Sequence, residues 1–399
     1  MSDELYRVHG FRFAGVRAGI KKNGNPDLAA IVCDGDASAA ALFTTNLVKA
    51  APVLVGEERM KRGRVRATLV NAGCANACTG KPGIDAAKAS TRMFADALGI
   101  KDVEVVPAST GVIGALLPVS KVEAAMPALV ADLSRDHALH FADAICTTDR
   151  WRKVSDARVA FGKAEITALC IAKGAGMIHP NMATTLVFLV TDAKAPAAML
   201  KRALRDAAAG TMNAVTVDGD TSTNDMLLAM ASGAAPNARA LKSPREASQL
   251  TELFESVLEP IARSIAADGE GSEHLVTIEV DGLATDAHAQ TIARTIATSP
   301  LVKTALHGKD PNWGRILAAA GRAGVKFDPD KASISIGDIE IVKNGMAVRD
   351  TTAESFAHEV MRRPAYGIRV KLGRGKGTGR YITCDFGHSY VDVNANYRS

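Results

Sequence analysis

From Lys173 to Leu186 the chain reads Lys-Gly-Ala-Gly-Met-Ile-His-Pro-Asn-Met-Ala-Thr-Thr-Leu, a glycine-rich loop that a proline turns straight into an apolar, β-branched run. Gly174 and Gly176 tolerate positive φ and close backbone approach. Pro180 fixes its own φ and pushes His179 out of the helical region. The stretch is therefore loop, and the run behind it predicts a strand over 185–190. Thr184 and Thr185 stand at the mouth of that strand. A threonine hydroxyl is a poor nucleophile unless something activates it. If the backbone is cut between Ala183 and Thr184, the new α-amine has a pKa of about 7.7–8.0 and can act as base for its own hydroxyl. The same loop can hold the 183–184 peptide in an unusual shape. Thr184 Oγ1 would then add to the Ala183 carbonyl, shift the acyl group from N to O, and leave an ester for water to hydrolyse. On local chemistry alone, a plain loop before a buried strand, which is what most Gly and Pro ahead of an apolar run mean, is the commoner explanation of these residues.

With 399 residues, 47% of them hydrophobic, the chain can bury a large core in two or three domains or one large α/β unit. Its start is acidic and lacks an apolar segment of the secretory kind, and no run approaches the roughly 18 apolar residues of a membrane span. The expected location is the cytoplasm, with no membrane partner. Six cysteines, at 33, 74, 78, 146, 170 and 384, are scattered in a way that suggests reduced, buried thiols. Cys74 and Cys78 lack a second pair, and the histidines show no H-x-x-x-H spacing, so no metal is expected. Net charge is +5, with a basic C-terminal stretch at Arg362, Arg363, Arg369, Lys371, Arg374, Lys376 and Arg380. Without interleaved aromatics this reads as a solvated surface or a lining for anionic amino acids, and no nucleic-acid partner is expected. The glycine-rich run 373–378 reads as a hairpin turn.

Strand-like runs occupy 11–20, 28–33, 52–55 and 66–70, each closed by turn residues. Helical periodicity marks 84–98 and 121–133, with a short strand over 103–107 leading to a Ser109-Thr110-Gly111 turn. Helices are expected over 196–212, 245–267, 285–307 and 312–320, and a strand over 275–280. The mixture lacks a steady βαβ rhythm and predicts an α+β fold with helices layered on sheets.

Motifs along nearly the whole chain carry a resemblance. Besides the central loop they include Phe43-Thr44-Thr45-Asn46, Ser109-Thr110-Gly111-Val112-Ile113-Gly114 and Thr147-Thr148-Asp149. Further on come Val217-Asp218-Gly219-Asp220-Thr221, Gly269-Glu270-Gly271, Ser299-Pro300-Leu301-Val302-Lys303, Lys309 to Arg315, and finally Asn394 with Ser399. The chain resembles the ornithine acetyltransferase (glutamate N-acetyltransferase) family. The resemblance implies a layered α/β/β/α sandwich, similar to N-terminal-nucleophile hydrolases, with a smaller C-terminal α/β domain. It also implies self-cleavage between Ala183 and Thr184 into an α chain, 1–183, and a β chain, 184–399, whose C-terminal subdomain covers roughly 275–399. The implied assembly is α2β2.

The implied reaction moves an acetyl group from N-acetylornithine to glutamate through acetyl-Thr184, in arginine biosynthesis, and needs no cofactor because one amide is exchanged for another. Acetyl-CoA as a second donor is left open, as is hydrolysis or another N-acyl amino acid on the same nucleophile. Thr110 and Gly111 match the family's oxyanion hole, where each donor supplies about a hundred- to a thousandfold. The substrate contacts carried over are Thr148, Lys173, Thr184, Glu270, Asn394 and Ser399, with Thr147 an alternative to Thr148. Glu270 would hold the ornithine ammonium. Asp218, Asp220 and Asp225 lack calcium-loop spacing and read as turn caps. Thr185, Glu273-His274 and Asn396 depart from the family pattern, which makes the substrate preference less fixed than the nucleophile.

Overall fold

The computed structural model describes residues 6–179, 185–350 and 352–395. They fall into two compact units. One takes in the chain up to Gly174, then 185–213 and Thr221–Ile261; the other takes in Ala175–His179, Ala214–Asp220 and the chain from Ala262 on.

The first unit is built on β1 (Phe11–Val16), β2 (Leu28–Phe43), β3 (Arg64–Cys74), β4 (Val105–Val112), β5 (Lys153–Phe161), β6 (Ala164–Lys173), β7 (Leu186–Thr191) and β8 (Met226–Ala231). The sheet order is β4-β3-β2-β8-β7-β6-β5, with β1 also on β2. One long strand can serve both halves because its register against β3 shifts between Val32 and Ala37. Such a bulge bends the strand. Leu28–Cys33 then pairs with β1, while Ser38–Phe43 pairs with β8.

Four of the helices in this unit are α1 (Ala51–Met60), α2 (Gly80–Leu98), α3 (Val119–Ala131) and α4 (Ala138–Ile145). They are followed by α5 (Ala197–Gly210) and α6 (Pro244–Ala267), the last of which runs on into the second unit. One face of β1–β4 and one face of β6–β8 share a single core with α4. Phe141 on α4 meets Phe13 of β1 at 6.5 Å and Phe188 of β7 at 5.0 Å, edge to face. The outer face of β1–β3 packs on α2 and α3, and α5 lies on β2 and β8. The layering is α/β/β/α.

The second unit has β9 (Leu275–Leu283), α7 (Asp286–Ala297), α8 (Pro300–His307), α9 (Trp313–Gly321), β10 (Ser333–Ile336) and β11 (Ile339–Lys343). It continues with β12 (Met346–Ala347), α10 (Ala353–Met361), β13 (Ala365–Lys371), β14 (Gly377–Cys384) and α11 (His388–Ala395). Its six strands run β12-β11-β10-β13-β9-β14, and all but the short β12 share a core with α7, α8, α9 and α10.

Several expectations change. Residues 52–55 are helix, because Pro52 sits in the first turn, where a missing N–H costs nothing, and Val53 and Val55 both bury. The 285–307 helix is two, broken at Ser299-Pro300. Run 373–378 is not a hairpin turn: β13 and β14 lie on opposite sides of β9, one parallel and one antiparallel, so the run crosses over it. The cysteines are free, as read, but Cys78 is exposed and Cys146 only half-buried. Among the described residues, no helix is long and apolar enough to cross a membrane.

Candidate active site

Ser109-Thr110-Gly111 is not a turn behind a strand but lies within the last residues of β4, which runs on to Val112, and pairs in parallel with Asn71-Ala72-Gly73 of β3. Gly111 has φ +130°, and a Cβ there would strike the Gly73 carbonyl carbon. Only glycine fits. Buried amides brace this end: Ser109 Oγ donates to Asn71 Oδ1 at 2.6 Å, and Asn224 Nδ2 donates to the Ser109 and Ala75 carbonyls at 2.9 and 2.7 Å. Thr110 is left half-buried with its hydroxyl accepting from Lys173 Nζ at 3.2 Å.

Lys173 is the last residue of β6, pairs with Leu186 of β7, and is 9% exposed. Its neighbourhood is organised by a residue that pattern reading did not single out. Asp149 Oδ1 accepts from the Gly174 N–H and from Lys153 Nζ, both at 2.7 Å, and Asp149 Oδ2 accepts from the Thr147 N–H at 3.0 Å. The side chains of Asp149 and Lys153 are fully buried. Burial pushes the Asp149 carboxyl up, but the ammoniums of Lys173 and Lys153 outweigh it and hold the group at about 2. This carboxylate ties the Thr147-Thr148 turn to the start of the glycine loop. The aspartate in Thr147-Thr148-Asp149 was the only sequence signal for it. Beside this turn opens a cavity of about 680 Å³ lined by Lys21, Cys146, Thr147, Asp149, Arg150 and Trp151, among others. Burial lifts the Cys146 thiol to about 12 and keeps it protonated.

On the far side of Thr184 in sequence, Thr185 is buried with no partner for its hydroxyl, while its carbonyl accepts from the Met226 N–H at 3.0 Å. Asp225 beside it is fully buried and its carboxyl is pushed well above the usual range by that burial. Thr184, Ala183 and Ser399 lie outside the described residues, as does Asn396.

Within the second unit, Glu270 follows α6 and is 9% exposed, not on the surface as helix-end acids commonly are. Its N–H donates to the Ala175 carbonyl at 2.9 Å, and its carboxylate rests against Gly176, where a Cβ would strike it. Asp218 holds the same loop. Its carboxylate accepts from the N–H groups of Met177 at 2.6 Å, Ile178 at 2.9 Å and Asp220 at 3.2 Å, a cap of the kind expected. Asn394 is exposed on α11 and donates to Tyr390 O at 3.0 Å. Gly271 at φ +72° packs so closely on α11 that a Cβ would strike the Tyr390 nitrogen. Burial, then the carboxylates of Asp218 and Glu270, push the Tyr390 phenol up. Glu270, Asp218 and the first turn of α11 are thus gathered into one anionic patch. The unexpected Glu273-His274 pair serves the fold here. Glu273 reaches Lys309 at 3.2 Å, His274 Nδ1 bonds the Arg363 carbonyl at 2.9 Å, and both N–H groups bond Asp385.

The ArgJ family model matches residues 12–399. The chain belongs to the ArgJ family. It is an enzyme, an acyltransferase. The arginine biosynthesis bifunctional protein ArgJ of Desulfotalea psychrophila is 45% identical over 98% of this chain and all of its own length. That of Geobacter sulfurreducens is 43% identical with the same coverage. A crystal structure of the arginine biosynthesis bifunctional protein ArgJ of Bacillus halodurans matches with a TM-score of 0.50 at 38% identity, covering 53% of this chain and 98% of that one.

Proposed function

We propose that this member of the ArgJ family cuts itself between Ala183 and Thr184 and then carries an acetyl group on Thr184 Oγ1 from N-acetylornithine to glutamate. The observation that carries the reading is the bond between Lys173 and Thr110 at the end of β4, beside a Gly111 that no other residue can replace. A hydroxyl and a glycine N–H at a braced strand end suit the oxyanion of a tetrahedral intermediate, and fixed donors need no reorganisation when that charge develops. The oxyanion forms when Thr184 Oγ1 attacks the acetyl carbonyl. The α-amine of Thr184 takes the Oγ1 proton and passes it to the ornithine nitrogen as collapse breaks the amide; it then takes a proton from the glutamate amine, which attacks acetyl-Thr184, and returns that proton to Oγ1 as the ester breaks. The patch at Glu270 suits the side-chain ammonium of ornithine, and Thr148, Asn394 and Ser399 complete the substrate contacts.

Self-cleavage gains support from the Bacillus halodurans relative, whose chain matches a share of this one close to that lying from residue 184 onward. The pieces would be 1–183 and 184–399, paired as α2β2, in the cytoplasm. The relatives are named bifunctional, which fits acetyl-CoA as a second donor to the same threonine. The test is to supply N-acetylornithine with and without glutamate and measure acetylglutamate and acetate. Acetylglutamate forming in step with ornithine supports the transferase; acetate released without acetylglutamate makes the chain a hydrolase.

A further inference from the structure

The lack of H-x-x-x-H spacing excludes a metal site on one helix face, but not one that a loop assembles. In the first unit the loop between α3 and α4 gathers such a set. Asp132 closes α3, His137 stands just before α4, and His140 lies in its first turn. A donor atom from each lies within 4.8 Å of the other two, and among the described residues this is the one group of three His, Cys, Asp or Glu side chains so placed.

We propose that Asp132, His137 and His140 bind a zinc ion that clamps the α3–α4 loop to β1. His137 Nδ1 stands 3.0 Å from Asp132 Oδ1, and His140 Nδ1 stands 3.1 Å from the same oxygen and 3.2 Å from Oδ2. Ligands about 2.0–2.1 Å from a tetrahedral zinc lie about 3.3 Å from one another, so these atoms need spread only slightly to admit the ion. The two imidazoles stack, with centroids 4.0 Å apart and planes 26° from parallel, and both turn Nδ1 to the one carboxylate. Two imidazole nitrogens and a carboxylate oxygen suit zinc, whereas magnesium prefers oxygen alone. Water completes the fourth position, and side-chain exposures of 18, 30 and 43% for Asp132, His137 and His140 leave it a path from solvent.

The backbone that carries these donors is braced on β1. Phe13 and Ser134 exchange N–H···O bonds of 2.8 and 3.0 Å, and the Gly15 N–H donates to Asp132 Oδ2 at 2.8 Å. A Cβ on Gly15 would strike the His140 carbonyl, so α4 begins hard against the strand. Donors held this way lose little freedom on binding. His137 Nδ1 donates to the Asp132 carbonyl at 2.6 Å. A neutral imidazole can carry its proton on either nitrogen, so zinc takes the Nδ1 lone pair and the proton moves to Nε2.

Calorimetric titration of chelator-treated protein with zinc chloride, and with magnesium chloride as control, tests this. One zinc binds per chain, magnesium gives no heat of binding, and the melting temperature rises by a few degrees once zinc stands well above its dissociation constant. His137→Gln and His140→Gln each lower zinc affinity by more than about tenfold, since loss of even an outer-shell partner costs about ten- to a hundredfold. Without zinc, both variants melt within a degree or two of the wild type. Cobalt chloride in place of zinc gives the visible bands of a nitrogen and oxygen site, with no thiolate charge-transfer band. A smaller fall in affinity in either variant overturns the proposal, as does folded wild type that binds no zinc. A thiolate band also overturns it, because that puts the ion on a cysteine such as the exposed Cys78.

Discussion

Thr110 and Lys173 are 63 positions apart in sequence and meet through one hydrogen bond. Replacing Thr110 with Ala removes the proposed oxyanion donor and leaves the strand end braced by Ser109 and Asn224. Turnover falls about a hundredfold, thermal stability stays within a degree or two, and Thr110→Ser recovers most of the rate. Steady-state kinetics alongside a melting curve check this, and an unchanged rate removes Thr110 from the oxyanion hole. At this scale the sequence was most legible in which distant motifs meet, as with Thr110 and Gly111 at the end of β4 and Lys173 at the end of β6. It was silent on Lys153 and Lys21. A buried lysine is recognised only by what surrounds it: Asp149 lies four positions from Lys153 and the Pro26 carbonyl five from Lys21, but neither stretch has a helical or strand pattern that marks the pair, and the Ala144 carbonyl that Lys21 also meets is 123 positions away.

Strand ends and helix starts, more than strand and helix interiors, build this site. Gly176 and Gly271 show how differently two glycines can matter. A Cβ on Gly176 meets the mobile end of Glu270, whereas one on Gly271 meets the backbone of α11 at a φ that side chains avoid. Gly176→Ala should therefore displace the Glu270 carboxylate, raising KM for N-acetylornithine about tenfold, at a stability cost below about 1 kcal/mol, while Gly271→Ala should cost more than that. Urea titrations with kinetics separate the two; an unchanged KM in Gly176→Ala would detach Glu270 from the substrate. Element boundaries were legible where glycine or proline punctuates the chain, as at Leu98 to Gly99, where the cap is left-handed. Val53 and Val55 misled because β-branched residues favour strands until Pro52 and burial decide otherwise. The crossing of 373–378 over β9 was not legible at all, since strand order depends on pairing between residues about a hundred positions apart.

On the scale of the whole chain, β6 and β7 border residues 174–185 and pair directly from Ala168↔Thr191 to Lys173↔Leu186. Cleavage between Ala183 and Thr184 would leave both pieces hydrogen-bonded in one sheet, so they should co-purify without a covalent link. The second unit adds a response to acid. Burial, with Arg294 beside it, holds His179 down to about 4, against 6.5 ordinarily. The unfolded chain binds more protons between these values, so the contribution of this neutral imidazole is complete above about 6.5 and is lost as pH falls toward 4. Between pH 7 and 5 this site alone costs about 1–2 kcal/mol. His179→Gln should lose less stability over that interval than wild type in paired urea titrations, and an equal loss would contradict the assignment.

The most direct measurement is the intact mass and amino-terminal sequence of the purified protein, wild type beside Thr184→Ala. The account predicts two fragments for wild type, the second beginning Thr-Thr-Leu-Val, and one full-length, inactive chain for the variant. A single full-length wild-type chain with full acetyl-transfer activity, or an uncut Thr184→Ala chain that still transfers acetyl groups, would contradict it.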